Sequence, residues 1–179
     1  AADYNKDSEC YVGGLVGHNI GGTISNCKII NSNISTACTT LNVNLTVYCG
    51  GFVGYADGDS KIELCSLIKT SVVSNLTSTL KNLSPSVGGI VGGSASCEIN
   101  NAYVYNAESD NNIYKIQALT NTWDDGNRPK LGGVVGSVTG SLSMKFVLVG
   151  DLGSFSAQAG TKTIYQTSDE KRCVGLLVG

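Results

Sequence analysis

Cysteine is the residue type in this sequence with the most chemistry open to it. The 179 residues include seven cysteines: Cys10, Cys27, Cys38, Cys49, Cys65, Cys97 and Cys173. No two of them form a CxxC pair, and the single histidine is at no zinc-site spacing from them, so no metal site is predicted. The thiols are therefore either buried and inert, as in a cytosolic protein, or joined as disulfides in an oxidising compartment. Since the number is odd, at least one thiol is unpaired or is paired outside this segment.

Asparagine supplies the second candidate chemistry, because four asparagines begin N-x-[ST] glycosylation sequons. They are Asn33, Asn44, Asn75 and Asn82, and the Pro85 that follows the last sequon makes it a poorer acceptor. Some sequons arise by chance in a chain rich in Asn, Ser and Thr, but four of them beside seven cysteines favour an oxidising compartment. The sequence therefore predicts a secreted eukaryotic protein, extracellular or at a cell surface, that carries N-glycans.

Catalytic and metal-binding chemistry has little support. Asp57-Gly58-Asp59 with Glu63, and Asp124-Asp125-Gly126, could suggest calcium, but neither is a complete calcium loop and both are typical of solvated turns. His18 has no Ser, Cys or Asp partner in a recognisable arrangement, and we expect it in an exposed turn. Polysaccharide lyases on β-helices need clustered acids and a basic catalytic residue, which nothing here supplies. We expect no enzymatic activity, no metal and no cofactor.

Composition sets the class of protein. The net charge of −2 is too small to argue for nucleic acid, and 15% charged against 41% hydrophobic residues argues against disorder. Glycine (23 residues) far exceeds proline (2 residues), and the abundance of Val, Ile, Thr, Ser and Asn predicts an all-β fold. No apolar run approaches the ~20 residues of a membrane helix, so no membrane insertion is expected. Because the sequence opens at Ala1 without Met, we expect a removed leader or a window from a longer chain.

A GGxVG motif recurs along the whole chain. Its closing glycines are Gly17, Gly54, Gly92, Gly136 and, in a looser last copy, Gly179, which are 37, 38, 44 and 43 residues apart. The repeat glycines of the four full copies are Gly13, Gly14 and Gly17; Gly50, Gly51 and Gly54; Gly88, Gly89 and Gly92; and Gly132, Gly133 and Gly136. Such glycines either supply a positive φ at a corner or let backbones approach closely, and the sequence leaves both alternatives open.

A second apolar block follows each copy, beginning at Ile24, Ile62 and Ile99 and, more loosely, at Leu142. One repeat cannot bury its own apolar face, whereas stacked repeats share one core. The period favours a parallel β-solenoid over a propeller, since aromatics are only 7% of the chain. We predict one solenoid over residues 1–179, right-handed by default and uncapped at both ends. Its repeats are expected at about 11–47, 48–85, 86–129 and 130–172, with the start of a fifth at 173–179.

The segment Gly13-Gly14-Leu15-Val16-Gly17-His18-Asn19, followed by Gly22-Thr23-Ile24-Ser25-Asn26-Cys27, closely resembles the GLUG repeat of large surface proteins. The resemblance covers nearly the whole chain, although the second copy has an extra residue before Ile62 and the fourth lacks the Asn-Cys pair. It implies a β-solenoid on a cell surface, and it implies no catalytic residues that could be carried over.

The repeat alignment proposes disulfide candidates. Cys27 and Cys65 occupy the same column, continued by Ala102, so they are expected either as a ladder of small buried side chains, which we favour, or as an inter-coil disulfide. Cys38 and Cys49 bracket a presumed loop insertion, Thr39 to Tyr48, whose base a disulfide would pin. Cys10 and Cys173 each lie just before a repeat motif and could bridge to flanking coils.

These observations predict a structural role, as a segment of an extracellular fibre, filament or surface appendage. Its partners would be further copies, stacked head to tail or laterally, or the continuation of a longer chain. The alternative is an adhesin or stalk module that binds a host receptor or glycan through its corner loops. An aromatic cluster on one face would favour that alternative, and the candidates are Trp123, Tyr103 and Tyr105.

Overall fold

The computed structural model describes residues 8–40, 44–78, 83–106, 114–121, 129–159, 162–164 and 173–179. Every regular element among these residues is a β-strand. The strands recur in one order along the chain, and for description we divide the described residues into successive layers. Layer 1 is 8–40, layer 2 is 44–78, layer 3 is 83–106 with 114–121, and layer 4 is 129–159.

The strands follow in the same order in each layer. Layer 1 holds β1 (Ser8–Gly13), β2 (Val16–Ile20), β3 (Thr23–Ser25), β4 (Lys28–Ile30) and β5 (Asn33–Thr40). Layer 2 holds β6 (Leu45–Gly50), β7 (Val53–Asp57), β8 (Ser60–Glu63), β9 (Ser66–Ile68) and β10 (Ser71–Ser78). Layer 3 holds β11 (Leu83–Gly88), β12 (Val91–Asn100), β13 (Tyr103–Tyr105) and β14 (Lys115–Thr120). Layer 4 holds β15 (Lys130–Gly132), β16 (Val138–Lys145), β17 (Leu148–Val149) and β18 (Ser154–Ala159), and it is followed by β19 (Lys162–Ile164) and β20 (Cys173–Gly175).

Equivalent strands of successive layers pair into four sheets. Sheet I runs β1-β6-β11-β15-β20, sheet III runs β4-β9-β13-β17, and sheet IV runs β5-β10-β14-β18-β19. Sheet II contains β2, β3, β7, β8, β12 and β16, and in it the long β12 pairs with both β7 and β8 of layer 2. Layers 1 and 2 therefore build sheet II from two short strands where layers 3 and 4 use one.

The pairing register joins each repeat to the next. In sheet I the partners run in series through Val12, Cys49, Val87, Leu131 and Val174. Because these residues occupy one position of the repeat, each copy adds one strand to sheet I. The prediction of an all-β parallel β-solenoid is confirmed, with about three turns of the path formed. Four repeats, a right-handed path and uncapped ends stay predictions.

Two local expectations differ from the structure. The presumed loop Thr39 to Tyr48 is mostly strand, because β5 extends to Thr40 and β6 begins at Leu45. Leu45, Val47 and Cys49 alternate toward the interior, so burial favours a strand there. The strands of sheet IV are also not all parallel, since β19 pairs antiparallel with β18, with Ala159 opposite Lys162.

The interior is a stack of apolar side chains, and those of layer 1, with a layer on one side only among the described residues, are less buried than their counterparts in layers 2 and 3. At the residue that follows the two repeat glycines, Phe52, Ile90 and Val134 are 0% exposed, whereas Leu15 of layer 1 is 51% exposed. The same side chain position is thus buried or exposed according to its place in the stack. The inter-layer contacts supply the burial that no single repeat achieves alone.

The corner between sheets II and III requires left-handed backbone in every layer. The corner residues are Asn26, Leu64, Asn101 and Phe146, with φ of 54°, 53°, 50° and 53°. Asparagine tolerates this conformation, whereas leucine and phenylalanine pay a steric cost there. Leu64 is 56% exposed and Phe146 is 82% exposed, so burial does not offset that cost.

The repeat glycines are needed for close approach, which settles the alternative that the sequence leaves open. None of them has a φ in the left-handed region. A Cβ atom on Gly51 would lie less than 3.0 Å from the carbonyl oxygen of Gly89 in the next layer, and 2.7 Å from Cδ1 of Leu67. A Cβ atom on Gly54 would come within 2.5 Å of the backbone nitrogen of Val12 in the previous layer. Adjacent layers therefore touch backbone to backbone at this corner.

We expect Gly51→Val to destabilise the protein by more than about 2 kcal/mol, because the new side chain must displace both the Gly89 carbonyl and Leu67. Thr23→Val is the matched control, since Thr23 is exposed in a strand of sheet II. Urea unfolding of both variants measures the difference. A Gly51→Val protein as stable as Thr23→Val would show that close approach is not required.

We expect Leu64→Asn to stabilise the protein by about 0.5–1 kcal/mol, because asparagine adopts the left-handed corner more readily than leucine. The control is Leu148→Asn, which makes the same change at an exposed residue inside strand β17. Thermal melts should show a rise only for Leu64→Asn. Equal shifts in the two variants would mean that lost surface hydrophobicity, and not backbone conformation, sets the effect.

Candidate functional site

Four aromatic rings meet where sheets I and II face each other in layers 1 and 2, and we call them the aromatic cluster: Tyr11, His18, Tyr48 and Tyr55. Tyr11 and Tyr48 are cross-strand partners in sheet I, and His18 and Tyr55 are cross-strand partners in sheet II. In each of these layers the two repeat glycines turn the chain sharply between the strand of sheet I and the strand of sheet II that carry the aromatic residues. The cluster therefore depends on the glycine corner and on the inter-layer register together.

The rings are in direct contact. Tyr11 and Tyr48 are stacked, with centroids 5.7 Å apart and planes inclined by 20°. Tyr48 and Tyr55 have centroids 4.7 Å apart, and Tyr11 and His18 have centroids 4.8 Å apart. His18 meets Tyr55 edge-on at 5.5 Å. The tyrosines are half-buried and His18 is exposed, so the cluster presents an aromatic surface to solvent.

The cluster ends at layer 3 for a steric reason. The partners there are Ser86 and Gly93, and a Cβ atom on Gly93 would collide with the ring of Tyr48. Ser86 is buried instead, and its hydroxyl donates to the Gly92 carbonyl at 2.7 Å and lies 2.8 Å from the Ser137 hydroxyl. Small residues in layer 3 thus give the tyrosines of layer 2 the room that they occupy.

Two phenols of the cluster, those of Tyr11 and Tyr48, are held neutral. The hydroxyl of Tyr11 donates to the carboxylate of Glu9, and this hydrogen bond, with burial, raises the pKa of Tyr11 well above its usual value. Burial, with the Glu9 charge, raises the pKa of Tyr48 to about 12. Neutral phenols with partly exposed ring faces can stack on a ligand and exchange hydrogen bonds with it. They are poorly suited to general base catalysis at neutral pH.

Sequence reasoning misses this cluster. The sequence predicts His18 in an exposed turn. The residue is exposed, but it lies in strand β2 and not in a turn. A usable signal was present, because Tyr11 and Tyr48 stand at one position of the first two copies and His18 and Tyr55 at another. Recognising the contact requires knowing that the two positions face each other across the glycine corner.

Tyr103 and Tyr105, which the sequence offers as candidates for a binding surface, lie outside the aromatic cluster. Tyr103 and Tyr105 are stacked on β13 with centroids 5.8 Å apart and planes inclined by 10°. A Cβ atom on Gly150, in the next layer, would lie 2.6 Å from the Tyr105 ring, so this ring packs over Gly150. They form a second, smaller aromatic surface on sheet III. Trp123 lies outside the described residues.

The structure brings Cys27 and Cys65 together in adjacent layers. The backbone amide of Ser66 donates to the carbonyl of Cys27 at 3.0 Å, and Cys65 and Ala102 are buried in the same column. Burial raises the pKa of the Cys65 thiol. All six cysteines with described side chains are free thiols in this structure. A column of small side chains is present, as in the favoured alternative, and the Cys27–Cys65 disulfide stays the untested second alternative.

Cys38 and Cys49 are both free thiols in this structure, and their disulfide stays a prediction. The Cys49 thiol faces the carbonyl of Val73 at 3.9 Å and belongs to the main interior cluster. Cys38 packs against a separate, smaller cluster. Burial raises the pKa of the Cys49 thiol to about 12, so it stays protonated at neutral pH.

Three of the sequon asparagines are exposed. Asn33 and Asn75 project from the outer face of sheet IV, on the neighbouring strands β5 and β10, and Asn44 precedes β6. Asn82 lies outside the described residues. Exposure makes the first three asparagines accessible to a glycosyltransferase, while their modification stays a prediction.

A groove on sheet II contains Asp59, one of the residues named in the calcium expectation. It has a volume of about 310 Å³ and is lined by Asp59, Lys61, Ser96, Cys97, Glu98, Ser141, Leu142 and Ser143. Asp57 is instead engaged in its own turn, accepting a hydrogen bond from Gly58 at 2.6 Å. Among the described residues no group of three or more His, Cys, Asp or Glu could hold a metal ion. Burial raises the pKa of the Cys97 thiol to about 12, which suppresses its nucleophilicity.

One protein-family model matches a part of layer 1. Residues 8–35 match the family model of the GLUG motif. The chain contains a GLUG motif. No curated protein and no solved structure matches the chain. Within the described residues there is no helix long and apolar enough to cross a membrane.

The GLUG motif corresponds to one turn of the solenoid. It extends from the start of β1 through β4 into β5, so it passes once through all four sheets. It includes the corner glycines of layer 1, the first half of the aromatic cluster and Cys27. The predicted resemblance to GLUG-repeat proteins is therefore confirmed, and the motif acquires a physical meaning as the unit that stacks.

Proposed function

We propose that this chain is a structural segment of an extracellular repeat protein, forming part of a fibre, filament or surface appendage. The observation that carries the proposal is the continuous parallel register from layer to layer, with partners running in series through the whole of sheet I. Hydrogen bonds between layers are aligned with the axis of stacking, so the solenoid is built to span distance. The four-repeat division and the N-glycans belong to the same proposal.

The exterior supports an extracellular location. Asn33 and Asn75 lie on one exposed face, where glycans would project without disturbing the interior. The outward residues of β5 are largely small and polar. Glycans on this face would also keep solenoids from pairing through sheet IV.

The first layer supports stacking as the mode of assembly. Its inward side chains are partly exposed where their counterparts in layer 2 are buried, as Leu15 and Phe52 show. Strand β1 pairs with β6 on one side, so within the described chain its other edge is open. A further layer placed there, from this chain or another, would bury the apolar residues and pair that edge.

Imaging of the native, unfragmented material by cryo-electron microscopy tests the proposal. We expect the solenoid as part of a continuous rod with an axial spacing of ~4.8 Å and with glycan density at Asn33, Asn44 or Asn75. Antibodies against the chain should label intact cells from outside. Discrete particles in which this segment has both end layers free, or labelling only after permeabilisation, would contradict it.

The aromatic cluster favours a second candidate function, an adhesive module that binds a glycan. Stacked tyrosines with neutral hydroxyls and a neighbouring Glu9 offer both ring faces and hydrogen-bonding groups to a sugar. The cluster lies at a corner of the solenoid, away from the sequons of sheet IV. Structural and adhesive roles are compatible in one surface protein.

A glycan array probed with the full chain tests the second candidate. We expect Tyr48→Ala to weaken binding of any retained glycan about tenfold, because it removes the ring shared by both halves of the cluster. Tyr103→Ala is the matched control on the other aromatic surface. Loss of binding in the control alone would move the site to sheet III, and no binding to any glycan would remove this candidate.

A further inference from the structure

Two cysteines of layer 1 point into the interior at the junction of sheets I and IV. Cys10 lies on β1 in register with the fully buried Val47, and Cys38 lies on β5, whose burial alternates along the strand with Cys38 on the inward side. Both are partly buried and both are free thiols in the structure. Strands β1 and β5 contact each other, as do their equivalents β6 and β10 in layer 2.

Layer 2 shows what the two positions do in the repeat. Cys10 pairs in register with Val47, and Cys38 pairs in register with Leu76. Val47 and Leu76 are fully buried in one small cluster with Leu45 and Leu83, and Cys10 and Cys38 pack against that same cluster. Layer 1 therefore replaces an apolar pair across the interior by a pair of thiols.

We propose that Cys10 and Cys38 form a disulfide that closes layer 1 on itself. The two thiols lose two protons and two electrons, and a disulfide oxidant such as oxidised glutathione accepts them and is cleaved to two thiols. The bond links the beginning of β1 to the end of β5 and encloses the whole first turn. It differs from the Cys38–Cys49 pairing expected from sequence, because Cys49 faces Val73 instead.

The position of the bond has a physical rationale. Layer 1 lacks a neighbour on one side among the described residues, and its interior is correspondingly exposed. A covalent closure restricts the unfolded chain over the length of one turn, and it therefore stabilises the layer with the least buried apolar surface. In layer 2 the same positions are held by burial alone, and they need no thiols.

The other cysteines leave this pair available. Cys49 and Cys97 are buried, and burial raises the pKa of each thiol to about 12, which slows their exchange with an oxidant. Cys65 is buried beside Cys27 at the corner between sheets II and III. Cys10 and Cys38 are the partly buried pair that shares one apolar cluster.

The experiment uses the purified full chain, reduced and then equilibrated in a glutathione redox buffer. Non-reducing proteolysis and mass spectrometry should identify one crosslinked peptide pair containing Cys10 and Cys38. Oxidation should raise the thermal midpoint by roughly 5–10 °C. Cys10→Ser and Cys38→Ser should each abolish that rise, whereas Cys27→Ser should retain it.

A variant copied from layer 2, Cys10→Val with Cys38→Leu, guards against misfolding of the serine variants. It should fold with the stability of the reduced protein or better and show no response of its midpoint to oxidant. Crosslinking of Cys38 to Cys49, or free Cys10 and Cys38 in a folded, fully oxidised protein, would overturn the proposal. The disulfide would form in the organism only if the proposed extracellular location is right, but its formation in the purified protein does not depend on location. A missing crosslink in the purified protein would therefore count against the disulfide and not against the location.

Discussion

Backbone contact between layers at the glycine corner is the constraint on which the rest of the structure depends. A carbonyl oxygen of the next layer stands where a Cβ atom of Gly51 would be, and Gly14, Gly89 and Gly133 are in the same situation. Only a residue without a side chain allows this approach. Once the corner is in place in every layer, the register of sheet I is determined, and the remaining sheets follow at the same axial spacing. The side chains above and below are thereby fixed in columns.

The columns explain both the interior and the candidate site. Phe52 and Ile90 stack because they follow equivalent glycines, and Tyr11 stacks on Tyr48 for the same reason. The corner also folds sheet II back toward sheet I, which brings Tyr55 against Tyr48. An aromatic surface of this kind needs no dedicated loop, because the repeat itself supplies the spacing. Substitution of small residues, as at Gly93, is sufficient to end it.

The sequence predicts the fold well at positions where only one residue type meets the structural requirement. Glycines recurring at one position predicted the stacked layers, and apolar alternation predicted the strands. It was less informative where partners come from different elements. The left-handed corner is recognisable at Asn26 and Asn101 but hidden at Leu64 and Phe146, whose side chains favour other conformations. The aromatic cluster, and the packing of Cys10 and Cys38 against one apolar cluster, both depend on contacts across a corner, which a one-dimensional pattern does not contain.

The two sides of the stack are not equivalent, which bears on how layers are added. The second repeat glycine of each layer forms a column that runs as far as Gly133. Because Gly132 pairs with Gly175, the residue equivalent to Gly133 in the fifth copy is Leu176. In each earlier layer a Cβ atom at this position would meet the carbonyl of the next layer. A layer placed on residues 173–179 therefore cannot repeat the close approach unless Leu176 is displaced. Sheet IV departs from the parallel pattern on the same side, where β19 runs antiparallel to β18. The face of layer 1 has neither obstacle, because the required glycine there would belong to the incoming layer. The layer 1 face can therefore accept the regular close approach as it stands, whereas at the other face that approach requires Leu176 to be displaced, so the two faces of the stack are not interchangeable.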